Sequence, residues 1–389
     1  MRILTIDIGS YTQPDLLYYF KKMGIEHKNI YYFFEKNNFE LKVHNEKLEK
    51  MLLAELEDSY DCVMTTNFFP VIARICHEKN VKYLSWSYDA PLNLLGTDEM
   101  EHPTNYIFLF DRNEVKNYKD LGFDNFYHLP LAVNTERLDA FKADSRFETD
   151  ISLMGGLYES TLPALKNIMS PLHREFVDKI VETQFKIYGN WFVDEMLSDN
   201  IIGDMNAHFR QLSPDAIQIS REELSFSIAQ QITFMERLTL LKLMSRAGFK
   251  VDLYTYGLSG EERALLEGVN IHGTVDYAKE MPSLFRSSRI NLNPTLKKIT
   301  SGIPLRALDI LGCGGFLLTN FQPEIEEFFE DGKEVVMYKS MEEALDKAKY
   351  FLSHEEERTK IAEKGYEKVK KDFGYEDRIA FMLKTAGLS

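Results

Sequence analysis

The chain has 389 residues, 44% of them hydrophobic and 28% charged, which is long enough for two cores and excludes a mainly disordered polymer. A formal net charge of −15 excludes a general binder of nucleic acid or anionic lipid, so any phosphate ligand must be held locally by backbone N–H groups and a few cations. Cys62, Cys76 and Cys313 are too few for a disulfide framework and point to a reducing, cytoplasmic setting; MRILTIDIGS lacks a signal-peptide pattern and no apolar run is long enough to span a membrane.

The chain opens with RILTIDIG, an alternating strand that ends in glycine, followed by a helix over 12–23 with Pro14 near its start. Strands are expected at 29–34, 61–65, 81–86, 106–110 and 126–129, with helices at 43–58 and 69–78 and one more before the last strand. Strands alternating with helices mean crossover units and a mainly parallel sheet. The charged, proline-containing stretch 129–150 reads as a boundary. A second strand starts at Asp150 and runs into Gly155-Gly156. A strand-poor stretch over about 158–230 reads as a helical insertion. Alternation then resumes, with helices at 232–246, 261–267 and 281–287 and strands at 251–255, 269–272, 290–293, 316–319 and 335–338. Three charged helices close the chain.

The expected fold class is therefore α/β, with two Rossmann-like domains facing a cleft and a helical insertion in the second. The domains are placed at 1–145 and 146–372, with a final helix at 373–389 packing back on the first.

The stretch SGIPLRALDILGCGGFLLTN, 301–320, is apolar at helical spacing but holds Arg306 and Asp309 three residues apart. A helix N-terminus presents unpaired N–H groups and a positive dipole end. Thr300, Ser301 and Gly302 precede this helix, Ser301 as its cap and Pro304 at its first position. A diphosphate fits there, with Arg306 one turn in and Asp309 placed to accept hydrogen bonds from two ribose hydroxyls. The alternative is a buried Arg306–Asp309 ion pair that only orients the helix.

The run NLNPTLKKITSGIPLRALDILGCGGFLLTN and the following EIEEFFEDGKEVVMYKSMEEALDKAKYFLSHEEERTKIAEKG closely resemble the C-terminal domain of the CgeB-like, spore-maturation-type group-1 glycosyltransferases of the GT-B fold. That family usually reads Arg-x-Phe-Glu-x-x-x-Cys-Gly; here Arg306, Asp309, Cys313 and Gly314 fill the pattern, with Asp for Glu. YLSWSYDAPLN and YIFLFDRNEVKNYKDLGFDNFYHLPLAVN are weaker matches in the first half. The resemblance implies a nucleotide-sugar donor site on the second domain, UDP-sugar by default, and a glycan or protein acceptor. Gly155 and Gly156 would approach the diphosphate, with Tyr158 beside them. Tyr256, Gly257, His272 and Val275 would border the base. The alternatives are an ordinary strand–helix turn and a structural histidine. The loop GGLYEST lacks the Arg and Lys that many group-1 enzymes carry there, so Lys297, Lys298 or Arg306 would supply the charge; the alternative is a solvated lysine pair.

Transfer of a sugar requires a stabilised diphosphate leaving group and a deprotonated acceptor if the reaction inverts. Candidate bases are Asp89, in SWSYDAP among aromatic residues, and Asp7, with His102 a third choice. A loop-capping role is the alternative for Asp89. No Asp-x-Asp triplet and no Cys/His cluster suggest a metal, and no cofactor is expected. A nucleotide-sugar epimerase of the same fold and a non-catalytic nucleotide-sugar-binding scaffold are the other readings. Trp191, Phe192 and Phe209 in the insertion could serve an acceptor or a homodimer, but by default they are core.

Overall fold

The computed structural model describes residues 1–34, 43–92 and 98–388; the last residue of the segment YLSWSYDAPLN lies outside them. The chain divides into two compact units, one of Met1–Arg137, Gly302–Leu308 and Val369–Ser389 and the other of Leu138–Ser301 and Asp309–Lys368.

The first unit holds a six-stranded, all-parallel sheet of β1 (Arg2–Asp7), β2 (Glu26–Tyr31), β3 (Cys62–Thr66), β4 (Lys82–Ser87), β5 (Asn105–Leu109) and β6 (Phe126–His128), in the order β2-β1-β3-β4-β5-β6. The central strands are buried along almost their whole length, polar Thr5, Thr65, Ser85 and Ser87 included, because the sheet is covered on both faces. Leu4, Ile6, Val63 and Ile107 pack there with Val71, Ile72 and Ile75 of the helix Pro70–Glu78. β2 starts three residues before the expected strand. As the edge strand it is half exposed, so its polar sequence EHKNIY satisfies the register Arg2↔Glu26 to Asp7↔Tyr31, and the aromatic run beyond it misled the expectation. In the same unit Asp15 receives a fork from Arg137 at 2.8 and 2.9 Å. Tyr19 stacks on Tyr375 of the last helix, Tyr375–Thr385, at 5.1 Å.

The second unit is built on β7 (Thr149–Met154), β8 (Val251–Tyr254), β9 (Asn270–His272), β10 (Ser288–Asn293), β11 (Leu317–Asn320) and β12 (Val336–Tyr338). All pairings are parallel, in the order β12-β11-β10-β7-β8-β9. Counted within the unit this is 6-5-4-1-2-3, the doubly wound order whose direction reverses between β7 and β10. The insertion supplies the helices Leu162–Ile168, Pro171–Phe185, Val193–Met196 and Asp199–Leu212, which close over their own core of Val177, Trp191, Met205, Phe209 and Ile228. Its aromatic residues Trp191 and Phe209 are therefore interior.

The insertion does not end at 230. One 26-residue helix, Arg221–Arg246, runs from it to the sheet, merging the last insertion turns with the helix expected at 232–246. A capping box of Ser220 and Glu223 starts it, and no Gly or Pro interrupts it. Its first half packs in the insertion core through Leu224 and Ile228, its second against the sheet through Leu240 and Met244. The helix Pro323–Phe328 between β11 and β12 is too short to show helical periodicity and escaped the sequence reading.

Gly315, at the turn into β11, answers for part of the Gly-Cys-Gly-Gly sequence. A Cβ there would meet Asn291 Nδ2 at 2.8 Å and the carbonyl oxygens of Phe285 and Ile310 at 2.9 and 3.1 Å. Two of these three atoms are backbone and cannot swing away. Gly315→Ala is expected to destabilise the protein by about 1–3 kcal/mol in urea unfolding, whereas Gly273→Ala, with nothing within 4 Å of its Cβ, leaves the midpoint nearly unchanged.

Candidate functional site

In a doubly wound sheet the ligand crevice lies at the carboxyl ends of the strands where the order reverses. In the second unit that point is the end of β7 and of β10. β7 passes into Gly155-Gly156-Leu157-Tyr158, with φ of 151° at Gly155 and 70° at Tyr158. Gly155 N–H donates to Tyr254 O at 3.0 Å. Among the described residues none accepts from the N–H groups of Gly156, Leu157 or Tyr158. Successive unsatisfied N–H groups in a turn form an anion-binding concavity.

A cation stands against this turn that the sequence reading did not find. Arg237, 8% exposed, donates from Nη1 to Gly156 O and from Nε and Nη2 to Pro294 O at 3.1 and 2.6 Å. Its guanidinium lies 4.8 Å from the Tyr158 ring centroid. It thereby ties the loop after β7 to the loop after β10. A Cβ on Gly155 would sit 3.2 Å from Nη1, so a larger residue there crowds the clamp. Only the position of Arg237 in a long helix, with tertiary contact to both loops, reveals it.

Tyr256 and Gly257 follow β8 on the same edge. Tyr256 is 72% exposed, and its hydroxyl would lie 3.5 Å from a Cβ on Gly156. His272 ends β9, stacks on Tyr254 at 4.6 Å and places Nε2 3.2 Å from Asp252 Oδ1. Val275 lies in the loop that follows. Two residues on, Tyr277 donates its hydroxyl to Asp309 Oδ1 at 2.8 Å. Tyr277 is a second residue missed by the sequence reading, and it joins the loop after β9 to the helix Leu305–Gly312. Asp309 is 1% exposed on that helix, with Arg306 one turn before it and half-buried.

The residues before this helix differ from expectation. Ser301 does not cap it: its Oγ donates to Glu324 Oε1 at 2.9 Å and the helix starts at Leu305. Gly302 clusters with the first unit, where a Cβ would meet Phe110 O at 2.8 Å and Asp111 Cα at 2.9 Å, so its backbone is packed against protein. Thr300 is half-buried beside Lys297 and Gln322.

The lysine pair is not solvated. Lys297, 7% exposed, has Nζ 3.1 Å from Glu236 Oε2, near enough to pair but not aligned as a hydrogen bond, and 3.4 Å from the Tyr188 ring centroid. Burial lowers its ammonium pKa, and Glu236 opposes that shift. Glu236 also accepts from Tyr338 at 3.2 Å. Lys298 reaches Asp194 at 2.7 and 2.5 Å and Ser225 at 2.9 Å, facing the insertion. Burial acts to raise the Asp194 pKa, but Lys298, Ser225 and Trp191 together hold it below the usual carboxylate value.

In the first unit the order reverses between β1 and β3. Asp7 Oδ1 accepts from Gly9 N–H at 2.9 Å and Ser10 N–H at 3.2 Å, closing the turn after β1. Asn67, at φ 65° just after β3, donates to Asp89 Oδ2 at 2.8 Å and accepts at Oδ1 from the N–H groups of Tyr88 and Asp89. Asp89 is exposed and held from the reversal point. His102 precedes β5, so it lies at the opposite, amino edge of the sheet, where it meets Glu99 at 2.7 Å and stacks on His77 at 4.0 Å.

Residues 236–384 match a family model described as glycosyl transferase-like. The matched segment starts at Glu236, beside the clamp. The chain is similar in fold to a glycosyltransferase from Rickettsia africae, with 12% identity over 99% of this chain and 97% of that one and a TM-score of 0.57. It is likewise similar to Anabaena HepE in complex with UDP and glucose, with 10% identity over 99% of this chain and 100% of that one and a TM-score of 0.57. Sucrose-phosphate synthase from Thermosynechococcus elongatus matches with 9% identity over 99% and 98% of the two chains and a TM-score of 0.59. No curated protein matches the chain. The two parallel six-stranded units define the GT-B fold. Among the described residues no three His, Cys, Asp or Glu side chains group so as to hold a metal ion, and no helix is long and apolar enough to cross a membrane.

Two outcomes check this geometry. Tyr277→Phe removes a donor from a buried carboxylate and should cost about 1–3 kcal/mol in chemical unfolding. Asp194 has a lowered folded pKa, so its stabilising contribution is complete above the unfolded value of about 4 and is lost as pH falls through the folded value. Lys298→Met should therefore lower the unfolding midpoint at pH 7, and the difference from wild type should narrow below about pH 4.

Proposed function

We propose that this protein is a glycosyltransferase that moves a sugar from a nucleoside diphosphate sugar, UDP-sugar by default, to a hydroxyl of a glycan or protein acceptor. The observation that carries the proposal is the turn after β7, with unsatisfied N–H groups at Gly156, Leu157 and Tyr158 and Arg237 clamped against it at the reversal of the sheet. The glycosyl transferase-like match over 236–384 supports it, since that segment supplies Arg237, the loop after β10 and Asp309. A neighbour of the same fold with UDP and glucose bound supports the choice of nucleotide. The pattern Arg306, Asp309, Cys313, Gly314 supports the CgeB-like subgroup. Three buried free cysteines support a reducing, cytoplasmic location.

In this reading the acceptor oxygen attacks the anomeric carbon, the bond from that carbon to the diphosphate breaks, and the nucleoside diphosphate leaves with the electron pair. The turn N–H groups and the charge of Arg237 stabilise the departing diphosphate without a metal. Arg237 takes the part expected of Lys298, which is bound to Asp194 instead. Asp309 accepts from the ribose hydroxyls, and Tyr277 marks the direction from which a donor reaches it. Tyr256, Gly257, His272 and Val275 border the base. Asp89, oriented by Asn67, positions the acceptor hydroxyl and takes its proton. Asp7 holds the neighbouring turn.

The test is binding followed by turnover. At a hundred times its dissociation constant UDP should stabilise wild type by about 2.7 kcal/mol, read as a thermal shift that needs no divalent cation. Asp309→Ala should lose that shift. Asp89→Asn should keep UDP binding but lower kcat by about 10²–10⁴. If no nucleoside diphosphate shifts wild type, the donor-site reading is wrong. If Asp89→Asn turns over at the wild-type rate, Asp89 is not the base.

A further inference from the structure

The amino edge of the second sheet carries a second polar cavity, of about 560 Å³, with no part in the reading above. Its walls come from the starts of β10 and β11, the turn Gly314-Gly315 and the helix Glu355–Asp372. β10 has six residues, so this edge lies roughly 20 Å from the carboxyl edge.

Three arginines, Arg286, Arg289 and Arg358, line the cavity in a chain whose net charge is −15. Arg358 is 7% exposed. Its Nη1 donates to Phe351 O at 2.6 Å, and among the described residues no carboxylate lies within 4 Å of its guanidinium. A guanidinium carries five N–H donors, and a single neutral carbonyl engages only one of them. Burial and the neighbouring Arg289 disfavour the charged form of Arg358 more than Glu355 and Asp150, neither of them within pairing distance, favour it. Arg286 has a buried Nε with no hydrogen-bond partner. Carboxylates are present but engaged or peripheral. Asp139 pairs with Arg286 at 3.0 Å and accepts from Tyr366, Asp150 pairs with Arg289 at 2.8 Å, and Glu363 is exposed on the rim.

A buried guanidinium with no carboxylate at pairing distance, beside a second one, is a costly arrangement unless an anion completes it. Arginine forks match the oxygens of a phosphoryl group. We infer that this cavity is a binding site for a phosphate group, free or as a phosphomonoester, held between Arg289 and Arg358 on the amino edge of the second sheet, separate from the proposed donor site.

The test uses Thr359→Glu, which places a carboxylate on the cavity wall without removing any contact made by the three arginines, as Thr359 is exposed. Arg289→Gln is the second variant. Thermal unfolding is followed with inorganic phosphate and with glucose 6-phosphate, against chloride at equal ionic strength. At ten times the dissociation constant the wild-type midpoint should rise by about 2 °C. The rise should persist in Asp309→Ala and vanish in both cavity variants. A larger response to the ester than to phosphate assigns the rest of the cavity to its organic part, and equal responses assign the site to phosphate alone. No rise in wild type, or an undiminished rise in Thr359→Glu, overturns the site.

Discussion

The buried guanidinium of Arg237 is the constraint on which the second unit's working edge depends. Its acceptors are backbone carbonyls on two loops, after β7 and after β10, that lie on either side of the sheet reversal. Fixing Gly156 O toward the arginine fixes the orientation of that peptide and leaves the following N–H groups without protein partners. Gly155 is required at its place because its φ is 151° and because a side chain would crowd Nη1. The clamp also explains the uninterrupted helix Arg221–Arg246. At 1.5 Å per residue its 26 residues reach roughly 39 Å, enough to be rooted in the insertion core and still deliver Arg237 to the reversal.

Carbonyl partners satisfy the hydrogen-bonding capacity of a guanidinium but do not cancel its charge. The adjacent Glu236 shows the contrast. About 100° around the helix, it meets Lys297, further along the loop after β10, and Tyr338, where an acid and a base offset one another. Neighbours in sequence thus serve different ends, one binding backbone carbonyls of two loops and one pairing with a lysine in the interior.

The alternation of strands and helices was legible in the sequence because buried parallel strands read as short apolar runs bounded by turn residues. Gly155-Gly156 and the Arg306–Asp309 helix stood out for the same local reason. What was not legible came from long-range contact. Arg237 sits in FMERLTLLKLMSR, where nothing local separates a clamp from a solvated helix residue. Tyr277 becomes notable only when a loop after β9 reaches a helix 32 positions on. Lys298 looked available because sequence does not reveal Asp194, 104 positions away. Ser301 had the right type and position for a cap, but Glu324 captured its hydroxyl. His102 lay near aromatic segments in sequence yet on the wrong edge of its sheet, which is decided by strand polarity alone.

Strand polarity also orders the molecule's chemistry. In a parallel sheet every crossover returns the chain to the same edge, so all strands of one unit end together and start together. The carboxyl edges collect Asn67 with Asp89 in the first unit, and the turn N–H groups with Arg237, His272 and Tyr256 in the second. The amino edge of the second sheet collects Arg286, Arg289 and Arg358. Because β7 and β10 are paired neighbours, the two edges share the same strands, with Asn293 of β10 ending near the clamp and Arg289 standing near its start. A shift of β10 along its own axis would change both edges at once. The hydrogen bonds of Asn291, to Phe285 O of the preceding helix and to Phe316 O just before β11, and of Ser152 to Asn291 resist that shift. Asn291 is fully interior, and an amide with both ends bonded is the polar device that fixes register where apolar packing alone would tolerate sliding.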